Sequence, residues 1–207
     1  MTLAVVVPVR AFDLGKSRLA EMFTPDERQA LARAMAEVVV APASGSDWLV
    51  VCDDERIAAW ARDRNARPIQ VSAHGLNASL DAARGDVLAS SPADWIAVAH
   101  ADLPLAHGLG ETVAATLAGV DDQPTVLIAP DRHRDGSNVV VIPRHLWSNW
   151  EFRYGPGSFA AHCTMATELG ATVTVIDDPH LATDVDTVDD LDLVRDFISS
   201  TLPHWNK

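Results

Sequence analysis

Three basic side chains follow the first apolar run of the chain. Arg10, Lys16 and Arg18 come directly after the run 3–9, and the carboxyl end of a strand is where α/β proteins place phosphate-binding turns. Gly15-Lys16-Ser17 forms the second half of a P-loop, but Arg10 stands where that motif needs its first glycine. A solvated basic loop is the alternative. In a chain of net charge -13, cations gathered at a strand end favour a triphosphate ligand.

Aspartates at two further places could bind a metal ion. Asp102 follows the apolar run 95–99, and Mg²⁺ prefers one or two carboxylates together with phosphate oxygens and water. Taken alone, Asp102 could equally form a turn or cap a helix. Asp184 and Asp186 are two residues apart, so on an extended segment they project to the same side and repel each other unless a cation neutralises them. The pattern favours a Mg²⁺ site.

Two segments rich in glycine and serine could contact an anion. Gly155-Pro156-Gly157-Ser158 leads into a predicted helix, whose start carries unpaired N–H groups and the positive end of the helix dipole. A plain loop with Ser158 as the helix cap explains the same residues. Gly136-Ser137-Asn138 is either a second contact segment or a turn before a strand. Neither segment identifies a ligand by itself.

The elements that must position these residues alternate between strands and helices. Apolar β-rich runs predict strands at 3–9, 48–52, 68–71, 95–99, 125–129, 138–142 and 172–176. Helical periodicity predicts helices at 25–39, 55–64, 77–88, 109–117, 158–169 and 188–198, the last opened by a capping box of Thr187 and Asp190. This alternation predicts an α/β fold with a single Rossmann-like, doubly wound mixed sheet, and one domain over residues 1–207.

Composition narrows the classes of function. The chain has 207 residues, of which 48% are hydrophobic and 22% charged, as in a soluble globular protein. A net charge of -13 argues against nucleic acid or an anionic membrane as partner. The first apolar run lacks the basic leader of a signal peptide and is too short for a membrane span, so we expect a cytoplasmic protein. Cys52 and Cys163 are expected to be free, buried thiols.

Taken in order, these residues resemble the 2-phospho-L-lactate guanylyltransferase family of coenzyme F-420 biosynthesis, within the nucleotide-diphospho-sugar transferase-like superfamily. The resemblance covers nearly the whole chain, from Pro8 to about Asp196. The motifs that carry it are Pro8-Val9-Arg10, Lys16-Ser17-Arg18-Leu19, Gly75-Leu76-Asn77, Asp102-Leu103-Pro104, Ala129-Pro130-Asp131-Arg132, Gly136-Ser137-Asn138, Gly155-Pro156-Gly157-Ser158-Phe159 with His162, and Asp184-Val185-Asp186-Thr187.

The resemblance implies roles on the nucleotide side. Lys16 and Arg18 would hold the triphosphate of GTP and, with Asp102, act in catalysis, and Arg10 would belong to the same nucleotide-binding loop. Leu76 and Asn77 would lie near the base and the ribose. The metal-binding aspartates of the family match Asp102, Asp184 and Asp186, which makes Mg²⁺ the expected cofactor.

The resemblance also implies the acceptor side and the reaction. Ser137, Gly155 and Ser158 would contact the phosphate and carboxylate of a small acid: 2-phospho-L-lactate, phosphoenolpyruvate or 3-phosphoglycerate. An acceptor phosphate oxygen would attack the α-phosphorus of GTP, and pyrophosphate would leave. Ser137 stands where the family usually has Thr, and His100 before Ala101 departs from the family pattern, so the identity of the acceptor is left open.

Other functions fit parts of the pattern. The nearest is a cytidylyl- or other nucleotidyltransferase acting on a sugar phosphate or phosphonate. A P-loop ATPase or kinase would show hydrolysis without an acceptor, and an acidic metal-binding or regulatory domain would bind nucleotide without releasing pyrophosphate. The expected partners are GTP and a phosphorylated small acid, with neither nucleic acid nor membrane, and a homodimer is left open.

Overall fold

The computed structural model describes residues 2–14, 16–41, 45–120 and 123–205, and its centre is a sheet of seven strands. The strands are β1 (Leu3–Pro8), β2 (Ser46–Cys52), β3 (Arg67–Gln70), β4 (Trp95–Ala99), β5 (Thr125–Pro130), β6 (Ser137–Pro143) and β7 (Thr172–Val175). Their order across the sheet is β3-β2-β1-β4-β6-β5-β7. β6 runs antiparallel to β4 and β5, and the other pairs are parallel. The predicted mixed Rossmann-like sheet is confirmed.

Helices cover both faces of this sheet. They are α1 (Pro25–Val39), α2 (Glu55–Arg62), α3 (Leu76–Ser90), α4 (Leu109–Leu117), α5 (Arg144–Trp147), α6 (Ser158–Glu168), α7 (Pro179–Ala182) and α8 (Arg195–Thr201). Successive side chains of a strand point to opposite faces. Val5 and Val7 of β1 therefore share one buried cluster with α2 and α4, while Ala4 and Val6 share another with α3 and α6.

A third buried cluster joins the end of the chain to its beginning. It contains Leu19 from the 3-10 turn Ser17–Leu19, Leu31 from α1, Leu191 from the 3-10 segment Val188–Val194, and Ile198 from α8. Burial of these apolar side chains holds the C-terminal segment against the loop after β1. The packing thereby brings Asp184 and Asp186 close to the predicted phosphate-binding loop.

The structure differs from the sequence-based prediction in three helical elements. The four-residue helices α5 and α7 were not predicted, because one turn is too short to show helical periodicity. The predicted helix 188–198 is a 3-10 segment followed by α8. Val194, the last residue of the 3-10 segment, has φ -126° and ψ 27°, outside the helical region. The capping box of Thr187 and Asp190 is confirmed.

The structure also tests the expected burial of the two cysteines and shows whether any helix could span a membrane. Both thiols are free, with Cys52 buried and Cys163 half-buried, so burial was predicted correctly only for Cys52. Among the residues that the structure describes, none of the helices has the length and apolar character needed to cross a membrane.

Candidate active site

A cleft of about 720 Å³ opens at the carboxyl ends of β1, β2 and β4. This is the end of a parallel sheet at which open α/β proteins bind their ligands. The cleft is lined by all the predicted site residues except Asn77, namely Arg10, Lys16, Arg18, Leu76, Asp102, Ser137, Gly155, Ser158, Asp184 and Asp186. Sequence reasoning therefore selected residues that the fold brings together.

Lys16 lies at the centre of the charged part of this cleft. Its Nζ donates to Asp102 Oδ2 at 2.7 Å and to Asp186 Oδ1 at 3.0 Å, and its side chain is only 9% exposed. Burial alone would lower the pKa of Lys16, but the charges of Asp102 and Asp186 outweigh burial and raise it. The group is therefore an ammonium ion at neutral pH. Gly15, the preceding residue of the partial P-loop, lies outside the described residues.

The backbone conformation of Lys16 directs this contact. Lys16 has φ 57° and ψ 38°, in the left-handed region that residues other than glycine seldom adopt. The left-handed turn precedes Ser17–Leu19, whose Leu19 is buried in the third cluster. The loop is therefore anchored beyond Lys16 while the lysine side chain lies between the two carboxylates.

Arg10 and Arg18 complete the basic side of the cleft. Both are exposed and line the cleft, and neither forms an ion pair with another described residue. Two guanidinium groups are therefore available to an anionic ligand beside the β1 loop, in a chain whose overall charge is strongly negative.

The three predicted metal ligands are neighbours but do not form a ready-made metal site. In the described part of the chain, no group of three His, Cys, Asp or Glu side chains is arranged to hold a metal ion. Asp186 already has a cationic partner in Lys16, so a metal ion is not needed as the first cation to neutralise the Asp184 and Asp186 pair. Burial, and then the nearby Asp102 carboxylate, raise the pKa of Asp184. Its charge is the least neutralised of the three.

One carboxylate oxygen of Asp102 is placed where it could bind a cation. Burial would raise the pKa of Asp102, but the Lys16 charge outweighs it and lowers that pKa, so the group is a carboxylate. Its Oδ1 is buried without a hydrogen-bond partner among the described residues, which costs free energy unless a cation or donor binds there. Carboxylate oxygens are the ligands that Mg²⁺ prefers. The donor set therefore fits Mg²⁺, with phosphate oxygens completing its ligands.

Asp190 fixes the segment that carries Asp186. Its Oδ2 accepts hydrogen bonds from the N–H of Asp186 at 2.8 Å and the N–H of Thr187 at 2.7 Å. Its Oδ1 forms an ion pair with Arg132, at the end of β5. Burial raises the pKa of Asp190, but these hydrogen bonds outweigh burial and lower it. Sequence reasoning identified the capping role of Asp190 and missed its link to Arg132.

Three N–H groups at the start of α6, where the sequence suggested an anion site, are bonded within the protein. The N–H of Gly157 donates to Asp135 Oδ2 at 3.2 Å, that of Ser158 to Gly155 O at 3.0 Å, and that of Phe159 to Asp135 O at 2.9 Å. These N–H groups are therefore not available to a ligand. The alternative that Ser158 caps the helix is wrong, because Gly157 is the N-cap and Ser158 is the first helical residue.

What this part of the cleft offers is a pair of hydroxyl groups. Ser137 and Ser158 both line the cleft and are almost fully buried, and the Ser137 N–H donates to Ser158 Oγ at 3.0 Å. Behind them lies His162, which is completely buried and whose Nδ1 is 3.0 Å from Ser137 Oγ. His162 was quoted in a motif but given no role, since nothing in the sequence shows that it contacts Ser137.

Asn77 has a structural role that the resemblance does not imply. Its Nδ2 donates to Tyr154 O at 3.0 Å, and its Oδ1 accepts from Tyr154 N–H at 2.9 Å. Both ends of the amide are thus used in holding the chain just before the segment 155–158. Leu76, the residue before it, does line the cleft. The Asn77 side chain therefore supports the acceptor-side loop, and its place near the base and the ribose stays a prediction.

The sequence matches guanylyltransferases, and the fold matches a nucleotide-diphospho-sugar transferase. The family model "Guanylyl transferase CofC like" matches residues 3–196. The phosphoenolpyruvate guanylyltransferase of Rubrobacter xylanophilus is 34% identical over 196 residues, covering 92% of each chain. The 2-phospho-L-lactate guanylyltransferase of Halorubrum lacusprofundi is 34% identical over 192 residues, covering 90% of this chain and 81% of the relative. A crystal structure described as a nucleotide-diphospho-sugar transferase, from Desulfovibrio desulfuricans G20, superposes with a TM-score of 0.72 at 16% identity and covers 94% of this chain and 87% of its own.

Proposed function

Because the chain belongs to the CofC-like guanylyl transferase family, we propose that it transfers GMP from GTP to a small phosphorylated carboxylic acid, with phosphoenolpyruvate as the first candidate. The observation that carries the proposal is the order of groups along one cleft. Arg10, Lys16 and Arg18 lie on the loop after β1, and Asp102 follows β4, the next strand in the sheet. Ser137 begins β6, on the other side of β4, and Ser158 is hydrogen-bonded to it. Cations suit a triphosphate, and hydroxyl donors suit the acceptor's anionic oxygens.

The reaction needs no nucleophile from the protein. An oxygen of the acceptor phosphate forms a bond to the α-phosphorus of GTP, the bond from that phosphorus to the bridging oxygen breaks, and pyrophosphate leaves with the electron pair. Lys16, Arg10 and Arg18 would neutralise the charge that develops on the leaving group. Lys16 has to exchange at least part of its contact with Asp102 and Asp186 for phosphate oxygens when GTP binds.

Mg²⁺ is the cofactor we propose. Asp102, Asp184 and Asp186 would hold it, and the ion would supply charge neutralisation and a common anchor for the two anionic substrates. Two observations support this assignment: the Oδ1 of Asp102 has no hydrogen-bond partner among the described residues, and the pKa of Asp184 is raised. The first is a buried oxygen that lacks a donor, and the second is a carboxylate whose charge burial and Asp102 disfavour.

Two acceptors are supported by the relatives. The Rubrobacter enzyme is named phosphoenolpyruvate guanylyltransferase, and the match covers 92% of both chains. The Halorubrum enzyme makes 2-phospho-L-lactate the second candidate at the same identity. Both compounds carry a phosphate and a carboxylate on the same carbon, so the same pair of hydroxyl groups could contact either. In the family's pathway the product would be an intermediate in the biosynthesis of coenzyme F-420. The cytoplasmic location expected from the sequence stays a prediction.

One crossed assay tests the proposal. Pyrophosphate release is measured with GTP, ATP, CTP and UTP, each with phosphoenolpyruvate, 2-phospho-L-lactate and 3-phosphoglycerate, in Mg²⁺ and after its removal by EDTA. We expect the highest kcat/KM with GTP and phosphoenolpyruvate, and none in EDTA. A clear preference for CTP or UTP would overturn the guanylyltransferase assignment, and release in a control without any acceptor would indicate a hydrolase.

A further inference from the structure

His162 has both ring nitrogens engaged, which defines its proton position. The Arg153 N–H lies 3.1 Å from Nε2, and a backbone N–H can only donate, so Nε2 must be an unprotonated acceptor. A neutral imidazole then carries its proton on Nδ1, 3.0 Å from Ser137 Oγ. Burial, followed by the charges of His100 and Arg153, lowers the pKa of His162 to about 4. The ring is therefore neutral at physiological pH and donates to the serine.

This donor determines what the Ser137 hydroxyl can do. A serine oxygen that accepts a hydrogen bond still has its own hydrogen to give. No acceptor for the Ser137 hydroxyl hydrogen is present among the described residues, although the residue is only 1% exposed and lines the cleft. Ser158 is in the same state, because its Oγ accepts from the Ser137 N–H at 3.0 Å. Two hydroxyl hydrogens are thus available at one wall of the cleft.

We propose that His162 is a positioning residue for the acceptor substrate, whose Nδ1–H holds the Ser137 hydroxyl as a donor to an anionic oxygen of the phosphorylated acid. The inference rests on the proposed function, since it assumes that this wall binds the acceptor. It adds a buried residue that touches neither substrate. Without that donor, the Ser137 hydroxyl can turn its hydrogen toward the imidazole and present a lone pair to the acceptor, which repels an anion.

A purely structural role for His162 is the competing explanation. Its ring packs edge-on against Tyr154 with centroids 4.7 Å apart and lies 5.7 Å from the ring of Trp150. Packing of this kind would affect stability when His162 is replaced, but it would not depend on the hydroxyl of Ser137. The experiment therefore has to separate the donor function from the packing.

Two substitutions separate the two ring nitrogens. His162→Asn puts an amide nitrogen near Nδ1 and can still donate to Ser137, whereas His162→Gln reaches the position of Nε2 and can still accept from Arg153 N–H. We expect His162→Gln to raise the KM of the acceptor about three- to tenfold with the KM of GTP unchanged, and His162→Asn to stay closer to the wild type. Met165→Leu, a buried change in the same helix, is the packing control and should leave both constants unchanged.

The decisive comparison is a double-mutant cycle with Ser137→Ala. If His162 acts through Ser137, His162→Gln adds nothing to the acceptor KM in the Ser137→Ala background. An equal effect in both backgrounds would overturn the inference and assign His162 to packing. If Ser137→Ala raises the KM of GTP instead of the acceptor, the proposed placement of the substrates is wrong, which is a separate failure.

Spectroscopy tests the proton position in the unmodified protein, in case a substituted protein does not fold. Long-range ¹H–¹⁵N spectra of the imidazole nitrogens should show His162 as the neutral form protonated on Nδ1 at pH 7. Detection of the form protonated on Nε2, or of an imidazolium ion, would overturn the inference.

Discussion

Lys16 and Asp102 are 86 residues apart in the sequence, yet the lysine Nζ lies 2.7 Å from Oδ2 of the aspartate. The contact joins the loop after β1 to the end of β4, two strands that are adjacent in the sheet. A second contact, to Asp186 at 3.0 Å, extends the link to the C-terminal segment. One ammonium ion thus neutralises two of the three carboxylates that we assign to Mg²⁺.

Replacing Lys16 by methionine should therefore have opposite effects on catalysis and on metal binding. Lys16→Met keeps the length of the side chain but removes its charge, so turnover should fall at least about a hundredfold with loss of neutralisation at the leaving group. The free energy of unfolding should fall by about 1–3 kcal/mol, a value discounted for solvent screening because the Asp186 side chain is half exposed. Mg²⁺ alone should raise the Tm of this variant more than that of the wild type, because the ion replaces the ammonium.

Kinetics and thermal melts with and without Mg²⁺ measure these effects. Arg33→Met is the matched control, since Arg33 is exposed on α1 and, within the described part of the chain, forms its ion pair with Glu37 in the next turn. Wild-type turnover in Lys16→Met would remove Lys16 from the catalytic assignment. An equal rise of Tm with Mg²⁺ in the two proteins would contradict competition between ammonium and metal.

Asp186 offers the cleanest test of the metal assignment. Asp186→Asn should lower turnover at least about a hundredfold while the protein stays folded, because the backbone of Asp186 is held by Asp190 and its side chain is half exposed. Asp189→Asn removes the same charge from an exposed neighbour that does not line the cleft, and it should leave turnover unchanged. The measurement is kcat as a function of Mg²⁺ concentration. Wild-type kcat in Asp186→Asn at all concentrations would sink the metal assignment.

The sequence was most informative where a pattern is local. Apolar runs marked every strand of the sheet and helical periodicity marked the longer helices, because each pattern depends on residues close together in the chain. Carboxylates at strand ends and cations after β1 marked the cleft, since the carboxyl ends of adjacent parallel strands meet at one edge.

What the sequence could not show are contacts between distant residues. The Asn77 amide pairs with the backbone of a residue 77 positions away, and nothing local distinguishes such a structural amide from one that reads a base. The side-chain and backbone oxygens of Asp135 accept hydrogen bonds from N–H groups at the start of α6. The sequence suggested that these N–H groups were free for a ligand, but the fold gives them partners. The same limit hid the contact between His162 and Ser137.

Asn77→Ala tests whether Asn77 acts as a support of the loop or as a contact of the base. The substitution removes two hydrogen bonds to the Tyr154 backbone, so the free energy of unfolding should fall by about 1–2 kcal/mol. The KM of the acceptor should rise, because the segment 155–158 follows Tyr154, whereas the ratio of kcat/KM for GTP and ATP should stay the same. Urea unfolding and kinetics with both nucleotides measure this, with the exposed Asn149→Ala as control. A changed nucleotide ratio at unchanged stability would restore Asn77 to the base site.

Asp190 should make the stability of the protein depend on pH in a known direction. Its pKa in the folded protein is below the ordinary value, so its contribution to the free energy of unfolding is complete above the ordinary pKa of an aspartate. The contribution is lost as the pH falls through the folded pKa. Asp190→Asn should therefore cost about 2–4 kcal/mol at pH 7 and progressively less below about pH 4.

Urea unfolding of the wild type and Asp190→Asn between pH 3 and pH 7 measures the difference, within the range in which both proteins unfold reversibly. Asp189→Asn again serves as control, because Asp189 is exposed and lacks the ion pair with Arg132. A difference that stays constant down to pH 3 would show that the Asp190 charge does not contribute to stability, and that the lost hydrogen-bond geometry accounts for the effect.

Ser158→Ala separates binding of the acceptor from chemistry at the metal. If the hydroxyl donates to an anionic oxygen, its loss removes about 1.5–3 kcal/mol, which lowers kcat/KM for the acceptor roughly tenfold to a hundredfold. The affinity for GTP, measured by calorimetry, should hardly change, since Ser158 lies across Asp102 from the basic loop. Asp102→Asn should instead depress kcat with every acceptor, because it withdraws charge stabilisation from the transition state. If Ser158→Ala weakens GTP binding as much as acceptor binding, the wall formed by Ser137 and Ser158 binds the nucleotide. The two substrates would then occupy the cleft in the reverse of the proposed arrangement.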